Sequence, residues 1–375
     1  MAASIRRRNI GRWIGVGVLM VLLLGLGLVG LQGFLATNKL GQPLVEVKDW
    51  RPDGIRSQSH YQWLDDSRLV RLKPTVQNIA VIDGELIDIQ KGTQTSLPDW
   101  GRIPHWAAND FYPSPDGKKV LITNRTGIPP KTFFPEAYLA NIDGTDQHRI
   151  QLPDKPSRPY VCIFLPDSRR FFAQYEDTIL LFDSASPRPS PSVLRHPALS
   201  KIGWMQVLGM DAKGEAVALD KLGSILGNGP GFYHLKMTPP VNAITLRRFT
   251  PAESNPDPTV KTTTIVLPPT IQEAVVSLSP NAQQVAIYTR EKFDVPPWLV
   301  PIYTWFRMFW GPLAETKDTL FVCDTDGSRF RQIAHYRQAM NGGTQILPPR
   351  WLPDNRHISY IFGNTLYKSD TGENE

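Results

Sequence analysis

The stretch Phe111-Tyr112-Pro113-Ser114-Pro115-Asp116-Gly117-Lys118-Lys119-Val120 decides the fold. An apolar pair runs into a Ser-Pro-Asp-Gly turn, and a basic pair leads out into the strand-like Val120-Leu121-Ile122-Thr123. Ser114 suits the first position of a type I turn, and Pro115 presets φ near −65° at the second. Asp116 can bond its own backbone, and Gly117 takes the left-handed or bulged position without a Cβ clash. Such a turn joins two antiparallel strands.

Variants of this turn return along the chain. Trp63-Leu64-Asp65-Asp66-Ser67-Arg68 precedes it, and Phe164-Leu165-Pro166-Asp167-Ser168-Arg169 follows. Met210-Asp211-Ala212-Lys213-Gly214 is a weaker fourth copy, Leu278-Ser279-Pro280-Asn281-Ala282 a fifth, and Trp351-Leu352-Pro353-Asp354-Asn355 a sixth. A second hairpin is expected further along the units, with Asp83-Gly84, Asp143-Gly144 and Asp326-Gly327 between alternating apolar residues. Four strands per unit, A to D, make a propeller blade. The expected fold is therefore all-β, a six-bladed β-propeller of four-stranded antiparallel blades. Ser114-Pro115-Asp116-Gly117-Lys118-Lys119-Val120 followed by Asn141-Ile142-Asp143-Gly144-Thr145-Asp146 resembles the repeat of TolB-type β-propellers. The resemblance spans roughly residues 45–370 and implies a fold and a turn chemistry. Repeats of this kind serve envelope scaffolds and the propeller halves of peptidases alike, so no activity follows from it.

Closure of the ring is expected from the two ends of the repeat region. The sixth unit reads as three strands, the third being Thr365-Leu366-Tyr367-Lys368-Ser369-Asp370. Leu44-Val45-Glu46-Val47-Lys48 alternates like a strand but has no unit of its own, and it is expected to complete the sixth blade.

Composition fits a large all-β core: 375 residues, 41% hydrophobic, with 34 Pro and 28 Gly to supply turns. The net charge of +6 is concentrated at the start, where Arg6, Arg7, Arg8 and Arg12 face no acid. The rest holds 37 basic against 35 acidic side chains, without the basic stripe that a nucleic-acid surface needs. Residues 13–36 are 24 consecutive uncharged positions, about 36 Å as a helix and longer than a cleavable signal's apolar region. They are read as one N-terminal transmembrane signal anchor in the lipid bilayer, with the basic tail 1–12 in the cytoplasm. Residues 37–44 are a short linker, and the propeller of 45–375 is expected outside the cytoplasm, in a bacterial periplasm or at the cell exterior.

Catalytic and metal motifs are sparse. There is no Gly-x-Ser-x-Gly elbow, phosphate loop or dinucleotide fingerprint, and the seven histidines are not paired at ligand spacing. Asp65, Asp66, Asp116, Asp167 and Asp354 sit in repeated turns, where a structural role is the simpler reading than a carboxylate ring. Cys162 and Cys323 lie in apolar strand patterns, as buried thiols or, if close enough, a disulfide. No cofactor or metal is expected, and catalysis would require residues assembled across blades.

One segment stands apart. The insertion 294–312, between strands B and C of the fifth unit, carries Trp298, Tyr303, Trp305, Phe306, Arg307, Phe309 and Trp310. Three readings stand: a lid packed on its own propeller, a contact surface for a protein partner, or a segment in the membrane interface. B–C and D–A loops share one face of a propeller, and the linker is expected on the other, which favours lid or partner. The same B–C face should carry the loop 126–135, with Phe133 and Phe134, and the loop 222–230. The sequence thus points to a membrane-anchored, extracytoplasmic propeller that binds a protein partner on its B–C loop face. An envelope hydrolase or lyase with its site at the channel mouth is the alternative.

Overall fold

The computed structural model describes residues 17–18, 20–21, 38–47, 60–74, 82–96, 109–124, 137–150, 161–175, 177–186, 190–201, 206–220, 224–229, 232–237, 242–254, 256–292, 314–339, 349–362 and 365–372. The chain divides into two units, Met1–Lys39 and Leu40–Glu375. In the first, the described residues 17–18 and 20–21 are helical. Among the described residues no helix is long and apolar enough to cross a membrane. The rest of the expected span 13–36 lies outside the described residues.

The second unit is a six-bladed propeller. Strand β1 (Gln42–Glu46) stands first in the chain and belongs to the last blade. Blade one is β2 (His60–Trp63), β3 (Arg68–Pro74), β4 (Ile82–Asp88) and β5 (Thr93–Ser96). Blade two is β6 (Asn109–Pro113), β7 (Lys119–Asn124), β8 (Ala137–Asn141) and β9 (His148–Ile150). Blade three is β10 (Val161–Phe164), β11 (Arg170–Tyr175), β12 (Thr178–Asp183) and β13 (Ser192–Arg195). In chain order β14 (Gln206–Met210), β15 (Ala216–Asp220), β16 (Ser224–Gly229), β17 (Phe232–Lys236), β18 (Ala243–Phe249) and β19 (Lys261–Val266) follow. Blade four is β14-β15-β18-β19, and β16 and β17 leave it to join the next sheet. That sheet, blade five, continues with β20 (Ile271–Leu278), β21 (Gln284–Lys292), β22 (Ala314–Asp324) and β23 (Arg331–Ala339). Blade six is β24 (Arg350–Trp351), β25 (His357–Phe362), β26 (Thr365–Asp370) and β1. The inner strands β2, β6, β10, β14, β20 and β24 approach one another in sequence, and β24 meets β2 to close the ring.

Closure follows the expected scheme. β1 runs antiparallel to β26, from Gln42 opposite Lys368 to Glu46 opposite Thr365. Pairing starts at Gln42, two residues earlier than the sequence pattern implied, because Gly41 allows close approach. A Cβ there would stand 2.3 Å from the Lys368 carbonyl oxygen.

The core lies between blades, and strand alternation builds it. Along β7, Leu121 packs toward blade three, whereas Val120 and Ile122 pack toward blade one. Along β11, Phe171 and Phe172 likewise face opposite neighbours. Each central strand is buried on both faces, which is why runs such as Val120-Leu121-Ile122 read as unbroken apolar stretches. Cys162 and Cys323 are both buried and form no disulfide with each other, lying in blades three and five.

The turns carry the repeat. The Ser114 amide donates to the Lys119 carbonyl at 2.8 Å, the Gly117 amide returns to Ser114 at 2.8 Å, and φ of Gly117 is +66°. This is a type I turn closed by a left-handed residue. Ser168, Ala282, Asn355 and Gly214 hold the same left-handed place in blades three, five, six and four. On the outer hairpins, Asp143 and Asp326 each accept from the amide and hydroxyl two residues on, with Gly144 and Gly327 at positive φ.

The expected Asp83-Gly84 turn is corrected. Both residues lie inside β4, facing Lys73 and Leu72. The turn forms beyond Asp88, whose Oδ1 accepts the Lys91 amide at 3.0 Å, with Gly92 at φ +63°. Extending the ladder by five residues pairs more backbone than a turn at Asp83 would.

Candidate functional site

Two places on the propeller are built for more than closure: the stem of the blade-five insertion on the B–C face, and the mouth of the central channel on the A–B face.

The stem is an antiparallel ladder of nine consecutive facing pairs, from Gln284 opposite Asp324 to Lys292 opposite Thr316, the longest B–C ladder among the described residues. The insertion departs from its end. Asp318, 2% exposed, anchors the ladder from within: it accepts from the Tyr288 hydroxyl at 2.7 Å and from Arg290 Nε and Nη2 at 2.7 and 2.8 Å. Burial and the Asp318 charge push the Tyr288 phenol well above its ordinary value. Burial works against the Arg290 charge, but the bonds to Asp318 outweigh it and hold the guanidinium above its ordinary value. Beneath the stem, Tyr288, Tyr336 and Tyr360 surround Phe362 with ring centroids 4.8–5.5 Å apart. Sequence reading placed the insertion between strands B and C but missed this anchor. Only the register puts Arg290 opposite Asp318, 28 residues away.

Of the residues read as partner-binding, Trp298, Tyr303, Trp305, Phe306, Arg307, Phe309, Trp310, Phe133 and Phe134 all lie outside the described residues. Their flanks are described, and Lys292 and Ala314 bring the insertion onto the B–C end of β21 and β22.

The mouth gathers six equivalent positions. Trp63, Pro113, Phe164, Met210, Leu278 and Trp351 each stand at the end of an inner strand and line a cavity of about 130 Å³. The lining also includes Gln62, Ser114, Ser277, Ser279 and Arg350, and among the described residues it has no carboxylate side chain. Hydrogen bonds tie the rim across blades. Trp63 Nε1 donates to Ser359 Oγ at 2.7 Å, and Trp351 Nε1 donates to the Ser277 carbonyl at 3.2 Å. Tyr61 meets the same Ser359 hydroxyl at 3.2 Å, and burial pushes its phenol up to about 12. Neighbouring turns are linked too: the Asp116 amide donates to Ser168 Oγ at 2.9 Å, and the Asn281 amide to Asn355 Oδ1 at 2.7 Å.

The turn aspartates are occupied by this work. Asp65 accepts the Ser67 and Arg68 amides, Asp167 those of Arg169 and Arg170, and Asp354 those of Arg356 and His357. Burial alone would raise these three carboxyls, yet the hydrogen bonds outweigh it and hold them below the ordinary value. Among the described residues no group of three or more His, Cys, Asp or Glu side chains is arranged to hold a metal ion.

Sequence reading left residues 222–230 as an open B–C loop. Instead β16 and β17 form a hairpin, and β17 pairs with the inner edge of β20, from Phe232 opposite Ser277 to Lys236 opposite Glu273. The missed signal was the Gly- and Pro-rich run Gly227-Asn228-Gly229-Pro230-Gly231 ahead of Phe232-Tyr233.

Together these features define the class: a closed six-bladed β-propeller. No family model matches the chain, and no curated protein does. Its fold is similar to solved propellers at low identity. A TolB-like protein from Agrobacterium tumefaciens is 12% identical, with 90% of this chain and 100% of that one covered and a TM-score of 0.40. An oligogalacturonate lyase from Vibrio parahaemolyticus is 8% identical over 90% and 92%, with a TM-score of 0.42. Hsv2 of Kluyveromyces lactis is 12% identical over 84% and 73%, with a TM-score of 0.35.

Proposed function

We propose that this chain is a membrane-anchored, extracytoplasmic β-propeller that binds a protein partner through the blade-five insertion on its B–C face. Residues 13–36 would be the anchor, the basic tail 1–12 would stay in the cytoplasm, and the propeller would lie in the bacterial envelope. The observation that carries the reading is the stem. A nine-pair ladder with a buried Tyr288–Asp318–Arg290 anchor presents a segment holding three tryptophans and one arginine. A rigid base lowers the ordering cost of an aromatic contact surface, and Trp, Tyr and Arg dominate binding energy at such surfaces. The hydrolase or lyase alternative needs an acid–base pair at the mouth, whereas the described lining holds no carboxylate and the aspartates of the A–B turns are committed to backbone amides.

The test is crosslinking in native membranes with the full chain and with a chain lacking 295–312. A specific protein adduct should vanish on deletion while the thermal unfolding profile is kept. If the deletion unfolds the propeller, the aromatics are core and the lid reading replaces the partner. If carbonate extraction releases the full chain from membranes, the anchor is lost from the reading.

A further inference from the structure

We propose that the channel mouth is a binding pocket for a small amphipathic carboxylate, a single ring or branched side chain that carries one carboxyl group. The lining is built in two layers. The rim is the set of six residues that end the inner strands. One residue deeper, each blade adds another: Gln62, Tyr112, Ile163, Gly209, Ser277 and Arg350. With one residue per blade in each layer, the cavity lies on the propeller axis at the A–B side, and it does not rest on the blade-five insertion.

The deeper layer is divided into two arcs. The adjacent blades five, six and one contribute Ser277, Arg350 and Gln62, all hydrogen-bond donors. Blades two, three and four contribute Tyr112, Ile163 and Gly209, with Phe164 and Met210 above them on the rim.

The polar arc is built for an anion. Arg350 is buried, its guanidinium stays charged, and among the described residues no carboxylate side chain shares the lining. It stands opposite Ser359, whose hydroxyl meets Tyr61 and Trp63, so Arg350 lies on the side of blade one, toward the strand that carries Gln62. Among the described residues neither the Gln62 amide group nor the Ser277 hydroxyl has a hydrogen-bond partner, although Ser277 is only 3% exposed. The Ser114 and Ser279 hydroxyls also line the cavity, but their own turns occupy them. A guanidinium takes a carboxylate with two parallel bonds, and the amide and hydroxyl donate to the lone pairs that remain. The other arc suits an apolar body, which Phe164, Met210 and Ile163 would shield from water. Trp63 and Trp351 have their indole N–H groups tied to Ser359 and to the Ser277 carbonyl, so their rings are fixed walls. The volume of about 130 Å³ approaches the roughly 150 Å³ of a cavity that takes benzene, which limits the body to about one ring. Two sources share this chemistry, a free arylalkanoic acid and the C-terminal residue of a peptide.

Ligand-observed NMR titration of the full chain with phenylacetate tests this. Phenylacetate should bind at least about tenfold tighter than phenylacetamide, its neutral counterpart of the same shape. Gln62→Glu keeps the size of a half-buried side chain, places a like charge in the polar arc, and should weaken phenylacetate at least about tenfold. Arg350→Gln should weaken it about 100-fold, with a thermal unfolding profile recorded to show that the variant folds. If Arg350→Gln unfolds the chain, Gln62→Glu decides alone. Tighter binding of a glycyl-phenylalanine peptide with a free carboxyl end supports a chain terminus as the source, and tighter binding of phenylacetate supports a free acid. Equal binding of phenylacetate and phenylacetamide overturns the proposal, as does equal binding of phenylacetate to the native and Gln62→Glu chains. Absence of binding by phenylacetate and the peptide at millimolar concentration overturns it too.

Discussion

Gly117 answers to two constraints at once. Its φ of +66° is in the left-handed region, and a Cβ there would stand 2.5 Å from the Leu64 carbonyl oxygen of the preceding blade. Gly117→Ala should therefore cost about 1–3 kcal/mol by denaturant titration, and an unchanged midpoint would remove the close approach as a cause. Ser168 and Asn355 occupy the same left-handed place without being glycine because their side chains have a use. Each accepts an amide from the turn one blade earlier, Asp116 and Asn281 respectively. Ser168→Ala should leave the Asp116 amide without that acceptor and lower stability by about 1 kcal/mol, whereas Ser168→Thr should keep most of it. Equal midpoints for all three proteins would show that the inter-blade bond adds nothing net.

At the scale of elements, β1 is the closing piece. It covers the outer edge of β26, and Val47 beyond it is buried with Tyr61, Trp63 and Leu366 between blades six and one. A chain lacking residues 42–47 should lose about 3–5 kcal/mol, from roughly four ladder bonds and one buried valine, and should self-associate through the bared edge. Light scattering and thermal unfolding read both effects, and a monomer of unchanged stability would refute the closure role. The stem makes a second prediction at this scale. Asp318→Asn leaves the partly buried Arg290 beside a neutral group and should cost about 3 kcal/mol. Replacing both residues, Asp318→Leu with Arg290→Met, should recover much of that loss. Recovery would identify the cost as an uncompensated charge rather than lost packing.

For the whole molecule, the pH profile of stability is set on both sides. Asp65, Asp167 and Asp354 hold depressed pKa values through turn hydrogen bonds, as do Asp143 and Asp326 through Thr145 and Ser328. Asp183 and Asp370 do so through Arg169 and Arg356. A depressed carboxyl stabilises the fold above its ordinary value of 3.8 and loses that contribution as pH falls through the folded value. The melting temperature should therefore drop below about pH 4. Tyr61 and Cys323 are pushed up to about 12 by burial, so their contribution is present below pH 10 and 9 and is lost as pH rises toward 12. A second decline should begin above about pH 9, and Tyr61→Phe should shrink it. A flat profile from pH 2 to 7 would exclude the turn carboxylates as stabilisers. Reducing agent should leave the melting temperature unchanged, since the two cysteines form no disulfide and lie in different blades.

Much of this architecture was legible because turns are local. Ser-Pro-Asp-Gly and its variants satisfy their own backbone within five residues, so the chain announces each A–B corner wherever it occurs. Six such corners determined the blade count, and an unpartnered alternating strand near the start determined how the ring closes. The apolar runs showed strands buried on two faces. Which neighbour each side chain meets was decided by tertiary structure, because a one-residue change of register exchanges the two faces. The Tyr288–Asp318–Arg290 anchor needed that register, as did the convergence of Trp63, Phe164 and Trp351 on one mouth. The hairpin β16–β17 marks the boundary best. Its Gly- and Pro-rich run was written in the sequence, but its partner strand was not, since the edge of β20 becomes available only when the ring brings blades four and five together.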